Sequence, residues 1–270
     1  ARAPAGWRRL RLDARKRACL DAMGIEVWRL RHDESGSNSE EEIDGEALAV
    51  AGIDAVTGPA ATEQRAPDAR LAEPAPPALD SEIDLDWPAL QEAVSHCRSC
   101  DLHQTRTQTV FGVGDHDASL MVIGEAPGAD EDRLGEPFVG RAGRLLDAML
   151  EAIGFARQQV YIANIIKCRP PGNRDPHIEE AASCQPYLRR QIALIQPKLI
   201  LSVGRVSAHN LLGTEESVGR LRGRVHRFDP GDIPLIVTYH PAYLLRRPQE
   251  KAKSWQDLQV AYRVLHDPMD

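Results

Sequence analysis

The sequence predicts an α/β domain in which a parallel sheet is covered on both faces by helices, and three observations lead there. Apolar runs recur at 120–123, 160–166, 199–203 and 233–238 of the 270-residue chain, each of a length that suits a buried strand. Segments with helical spacing lie near 141–153, 177–195, 205–212 and 249–266, between or after those runs. Alternation of this kind, joined by right-handed crossovers, brings the strand ends to one rim. On that rim the sequence puts Glu125 after the first run, Asn164 in the second, Gly204 after the third and His240 after the fourth. There is no internal repeat.

Hydrophobic residues make up 42% of the chain, enough for a real core. No apolar run is long enough for a transmembrane helix or a secretory signal, so the expected compartment is the cytosol. The net charge of −7 is unevenly spread. Residues 1–30 carry 8 Lys/Arg against 3 Asp/Glu, residues 31–86 carry 3 against 15, and residues 87–270 carry 22 against 22. The first segment reads as a basic amphipathic helix, with Trp7, Leu10, Cys19 and Leu20 among its arginines, suited to docking a protein partner, touching DNA phosphate or simply lying on the main domain. The second, with Glu40-Glu41-Glu42 and Pro74-Ala75-Pro76-Pro77, lacks apolar periodicity and reads as a disordered linker. From Trp87 onward the pattern is that of a folded domain, and helical spacing runs from Trp87 to Leu102.

Gly124-Glu125-Ala126-Pro127-Gly128, at the end of the first apolar run, opens a stretch with four acids within eight residues and continues to Pro137-Phe138-Val139-Gly140. Ligands of open α/β sheets bind at the carboxyl ends of strands, where such a loop would lie. The second signal is cysteine. Cys97 and Cys100 form a C-x2-C pair, while fifteen residues separate Cys168 from Cys184. Four thiols in a cytosolic chain suggest a metal or a cluster, and the spacing leaves zinc and iron–sulfur both open.

Taken together these motifs, with Lys167-Cys168-Arg169-Pro170-Pro171-Gly172-Asn173-Arg174 and His240-Pro241-Ala242-Tyr243-Leu244-Leu245-Arg246, resemble a family four uracil-DNA glycosylase. The resemblance covers residues 87–265 and says nothing of residues 1–86. It implies a three-layer α/β/α sandwich with a four-stranded parallel sheet. It also implies a [4Fe-4S] cluster on Cys97, Cys100, Cys168 and Cys184, uracil-containing DNA as partner, and a monofunctional hydrolase that leaves an abasic site. The competing class is a binding module that recognises uracil-containing or single-stranded DNA without turnover. A monomer is expected.

The residue chemistry agrees with this expectation. Excision leaves oxocarbenium character on the sugar and negative charge on the base, so a donor near O2 and a positioned water are needed. His240 suits the donor, and Asn164 suits pairing with O4 and N3–H of uracil, a pattern that cytosine reverses. The resemblance gives Phe138 the role of stacking on the flipped base, and Glu131 that of obstructing a thymine methyl. Ala126 stands where the best-known uracil-DNA glycosylases have an aspartate, which leaves Glu125 or a backbone carbonyl to hold the water. Gly124 supplies the close backbone approach. Leu244 or Leu245 would wedge into the base stack beside Tyr243 and Arg246. Arg220, Arg222 and Arg224 alternate like strand residues and would meet phosphate from one face. His177, where related chains often carry Thr, is expected to start a helix.

Overall fold

The computed structural model describes residues 84–266. The basic segment 1–30 with Cys19, and residues 31–83 of the acidic stretch, lie outside the described residues. Among the described residues no helix is long and apolar enough to cross a membrane.

The strands are β1 (Val113–Gly114), β2 (Leu120–Gly124), β3 (Tyr161–Asn164), β4 (Leu199–Val203), β5 (Val225–Phe228) and β6 (Ile233–Thr238). They form one sheet in the order β1-β3-β2-β4-β6-β5. This corrects the expected four strands to six. The four central strands are parallel and coincide with the four apolar runs, while β1 and β5 pair antiparallel at the two edges. The edges escaped notice for physical reasons. β1 is two residues long, and β5 is only half-buried, so neither needs an apolar run.

Period-two alternation sends each central strand to two cores. Met121, Ile123, Ala163 and Ile200 face one side, where Leu188 and Ile192 of the long helix α4 (Ile178–Ile195) and Leu211 of α5 (Arg205–Leu212) cover them. Leu120, Val122, Ile162 and Leu201 face the other, under Leu146 and Met149 of α3 (Arg141–Ala152) and Leu258 of α8 (Lys251–His266). Leu146 and Met149 are fully buried; each such side chain stabilises by about 1.5–3 kcal/mol. The helices α1 (Trp87–Ser95), α2 (Ala129–Leu134), α6 (Val218–Leu221) and α7 (Pro241–Arg246) complete the described elements.

Two further expectations are corrected. Helical spacing from Trp87 to Leu102 resolves into α1, capped by the Asp86 carboxylate on Ala89 N at 3.0 Å, and a separate turn of 3-10 helix at Asp101–Gln104. Between them the chain unwinds to present Cys97 and Cys100. The alternating arginines are not a strand: Arg220 lies in α6, Gly223 turns the chain at φ +78, and β5 begins only at Val225.

Parallel pairing aligns Gly124 with Asn164 and Val203 with Thr238. The carboxyl ends of β2, β3, β4 and β6 therefore share one rim, and the site is built there.

Candidate active site

A cleft of about 460 Å³ opens at this rim and is lined by Glu125, Ala126, Glu131, Phe138, Asn164 and His240, with Tyr243 and Arg246 reaching it from α7. Gly124 lies directly beneath. A Cβ on Gly124 would come within 2.5 Å of Asn164 Oδ1 and 2.6 Å of the Phe138 ring, so glycine is what lets both side chains close over the strand end.

Asn164 is buried at 2% exposure, and its Oδ1 has no hydrogen-bond partner in the protein. An orphaned acceptor this deep carries a desolvation cost that a ligand donor relieves. His240 is fixed in one tautomer. Its Nδ1 accepts from Ala242 N at 3.1 Å, which leaves the proton on Nε2. Burial pushes its pKa down to about 4, and the nearby Arg246 guanidinium acts in the same direction, so the ring is neutral at ordinary pH. Gly204, at φ +99, lets the His240 ring sit close, since a Cβ there would lie 3.0 Å from His240 Cβ.

Glu125 faces Asp175 closely enough to share a hydrogen bond, and burial together with this second carboxylate pushes its pKa up to about 7. Arg205, ion-paired with Asp175, opposes the rise. Asp175 is held in place by its own loop, where Arg174 grips Glu180 through two bonds of 2.7 and 2.8 Å and donates to the Asp175 carbonyl. Spacing gave no signal for Asp175 or Arg205 as a pair, since 30 residues separate them. Neither residue was singled out in the sequence, although Gly204, next to Arg205, was placed on the rim.

Glu131 is held by backbone amides. Its Oε2 accepts from Gly128 N at 3.1 Å, and its Oε1 accepts from Val139 N and Gly140 N at 3.0 and 3.3 Å, stapling the two halves of the motif together. Phe138 adopts φ 55, a left-handed conformation that costs a non-glycine residue of order 1–3 kcal/mol. Arg157 braces this turn by donating to the Pro137 and Phe138 carbonyls while paired with Asp147 at 3.0 Å. The ring stacks beside His240 with centroids 5.6 Å apart and planes at 29°. Neither Arg157 nor Asp147 carries a motif that would have marked it in advance.

Two of the DNA-contact candidates are corrected. Leu244 is fully buried and packs into the core beneath α7, so it has no freedom to enter a base stack; Leu245, 37% exposed, is the apolar residue that α7 presents outward. Arg222 is not a free cation. It pairs with the fully buried Asp257 at 3.0 Å, which also accepts from Thr238 Oγ1 at 2.9 Å, so the arginine braces the strand end that bears His240. Arg224 pairs with Glu216 at 3.5 Å, and His177 N-caps α4 as expected of a helix start.

Cys97, Cys100, Cys168 and Cys184 line one small cavity. Arg106 donates to Cys168 Sγ at 2.9 Å and to the Cys97 carbonyl at 2.9 Å, and Lys167 N donates to Cys184 Sγ at 3.3 Å. Lys167 itself also lines this cavity. Among the described residues no three His, Cys, Asp or Glu side chains converge as a single metal ion requires.

A family model described as the uracil DNA glycosylase superfamily matches residues 111–259, more than half of the chain. The chain is 48% identical to the type-4 uracil-DNA glycosylase of Archaeoglobus fulgidus over 162 residues, 58% of this chain and 81% of the relative. It is 40% identical to the type-4 uracil-DNA glycosylase of Pyrobaculum aerophilum over 66% of this chain and 94% of the relative. Identity falls to 30% with the type-5 uracil-DNA glycosylase of Thermus thermophilus, over 48% of this chain and 68% of the relative. The chain therefore belongs to the uracil DNA glycosylase superfamily and, within it, to the type-4 family.

Proposed function

We propose that this chain is a DNA-repair glycosylase that takes deoxyuridine out of the helix, hydrolyses its N-glycosidic bond and leaves an abasic site. The observation that carries the reading is the orphaned Oδ1 of Asn164 at the bottom of the cleft. Uracil N3–H offers that acceptor a proton, whereas cytosine N3 offers a lone pair, and the Asn164 amide NH2 then pairs with uracil O4. A single buried acceptor thus selects the damaged base.

The other residues divide the reaction among them. Phe138 presents its ring to the flipped base, and neutral His240 donates from Nε2 to O2 as negative charge develops there. Glu125 in its ionised form holds the attacking water, because Ala126 has no group to do so. Glu131 holds the two loops at the spacing the base requires and, as a residue of the cleft wall, obstructs a methyl at C5. Leu245 fills the gap left in the stack, with Tyr243 beside it and Arg246 on phosphate. Among the described residues no lysine lines the cleft, which supports hydrolysis without Schiff-base chemistry.

The all-sulfur donor set of Cys97, Cys100, Cys168 and Cys184 fits a [4Fe-4S] cluster. The four cysteines line one cavity, and the similarity to type-4 uracil-DNA glycosylases supports reading them as ligands of a cluster. Such a group would supply cross-linking between the loop after α1 and the 168–184 segment. Arg106, donating to Cys168, favours the thiolate form that binding requires.

His240→Ala tests the catalytic reading. Single-turnover excision should fall by about 10²- to 10³-fold with affinity for uracil-containing DNA retained. An unchanged excision rate would remove His240 from the chemistry.

A further inference from the structure

The short helix α2 has one buried residue, and that residue is a carboxylate. Asp132 is 4% exposed, whereas Leu134, the large apolar residue of the helix, is 51% exposed. Six residues are too few for a helix to sustain itself, and α2 has no apolar face to bury. Hydrogen bonds take the place of packing. Asp132 Oδ1 accepts from Thr107 N at 2.9 Å, and its Oδ2 accepts from Thr107 Oγ1 at 2.8 Å. Gln108 Nε2 donates to the Arg133 carbonyl at 2.8 Å, and a Cβ on Gly135 would lie only 2.8 Å from Gln108 Oε1. The 106–110 loop is fixed in turn, since Arg106 donates to the Ser95 and Cys97 carbonyls and Val110 N to the Lys167 carbonyl. Among the described residues no cation forms an ion pair with Asp132, so its carboxylate answers to this loop alone. Successive residues of a helix face different ways. Glu131 therefore meets the amides of Gly128, Val139 and Gly140 at the cleft, while Asp132 meets Thr107, 25 residues earlier in the chain.

We propose that Asp132 is a positioning residue that sets the selectivity against 5-substituted uracils, by fixing α2 and with it the place of Glu131 on the cleft wall. The idea rests on the reading of Glu131 given above as the group that obstructs a methyl at C5. It deepens that reading by naming what holds the obstructing group. Without the anchor, α2 moves outward with Glu131 and the space beside C5 grows. Uracil then loses fit, whereas a base with a bulky C5 substituent gains room. The consequence is a changed ratio between two substrates, which a mere loss of folded protein does not produce.

The test measures single-turnover excision of uracil and of 5-bromouracil from otherwise identical oligonucleotides. The enzymes are the full-length parent, Asp132→Ala, Thr107→Val, Thr107→Ser and Glu131→Ala. Bromine has roughly the bulk of a methyl group, and it stabilises the departing anion, which brings a hindered base into measurable range. Asp132→Ala should lower the preference for uracil by about 10-fold or more, the scale on which a pocket senses one methyl-sized group. Thr107→Val removes only the hydroxyl donor and leaves Oδ2 unpaired, so the preference should fall by about threefold. Thr107→Ser restores the hydroxyl and should keep the parental ratio. Both rates are read on one preparation, so a partly folded variant lowers them together. A parental preference in Asp132→Ala overturns the proposal. Should that variant not fold, a parental preference in Thr107→Val overturns it equally. Glu131→Ala separates this proposal from the reading beneath it. If Glu131→Ala leaves the preference unchanged, the C5 role of Glu131 falls and this proposal with it. If Glu131→Ala lowers the preference while Asp132→Ala and Thr107→Val do not, the anchoring role of Asp132 alone falls.

Discussion

At the scale of single residues, the site separates its two titrating groups. Glu125, pushed up to about 7 by burial and by Asp175, is ionised only as pH rises through neutrality, while His240, pushed down to about 4, is neutral throughout that range. A water-holding carboxylate must be ionised, so excision should accelerate as pH rises through about 7. Asp175→Asn removes the neighbouring charge and should move this limb to lower pH; Arg205→Ala removes the opposing cation and should move it higher. Single-turnover rates across the range decide, and a limb that ignores both substitutions would detach Glu125 from the rate. Stability follows the opposite sign for Glu125. Its raised pKa favours the folded state below the ordinary value of 4.5, and that advantage is lost as pH rises through about 7. The depressed pKa of His240 acts the other way, with stability present above 6.5 and lost as pH falls towards about 4.

At the scale of elements, function depends on turns that hold side chains in costly conformations. Gly143, in the first turn of α3, admits the Phe138 carbonyl to a place where a Cβ would lie only 1.7 Å from it. Gly143→Ala must therefore displace the Phe138 turn. It should cost about 1–3 kcal/mol in thermal or urea unfolding and suppress excision together. A variant as stable and as active as the parent would show that the turn is dispensable. The motif residues here were legible because glycines, an aromatic and clustered acids at a strand end have few structural explanations. What gives them their geometry was not legible. Glu131 was expected to face the C5 side of the base, and nothing in its spacing marked it as the staple of three amides; Arg222 looked like a phosphate contact but neutralises a buried aspartate 35 residues away in sequence. Long-range partners leave no mark on local spacing. Leu244 and Leu245 illustrate the same limit, because a helical pair of leucines does not say which one faces the core until the neighbouring helix is placed.

For the whole molecule, the central parallel strands could be read because burial on both faces demands continuous apolar runs. The edge strands could not, since each needs to satisfy only one neighbour. Two of the four cysteines lie near the start of the domain and two near its middle, and the fold brings them to one cavity. Cys168→Ala should accordingly cost visible absorbance, iron and melting temperature before it costs discrimination between uracil and cytosine. Intact iron and stability in that variant would contradict the assignment of Cys168. The most direct test of the whole account uses an end-labelled oligonucleotide with a single uracil, incubated with purified protein and divided into samples with and without alkali. Excision predicts cleavage at the uracil only after alkali, and none in thymine and cytosine controls. Protein that binds the oligonucleotide with its iron intact but leaves no alkali-labile site would contradict the glycosylase reading.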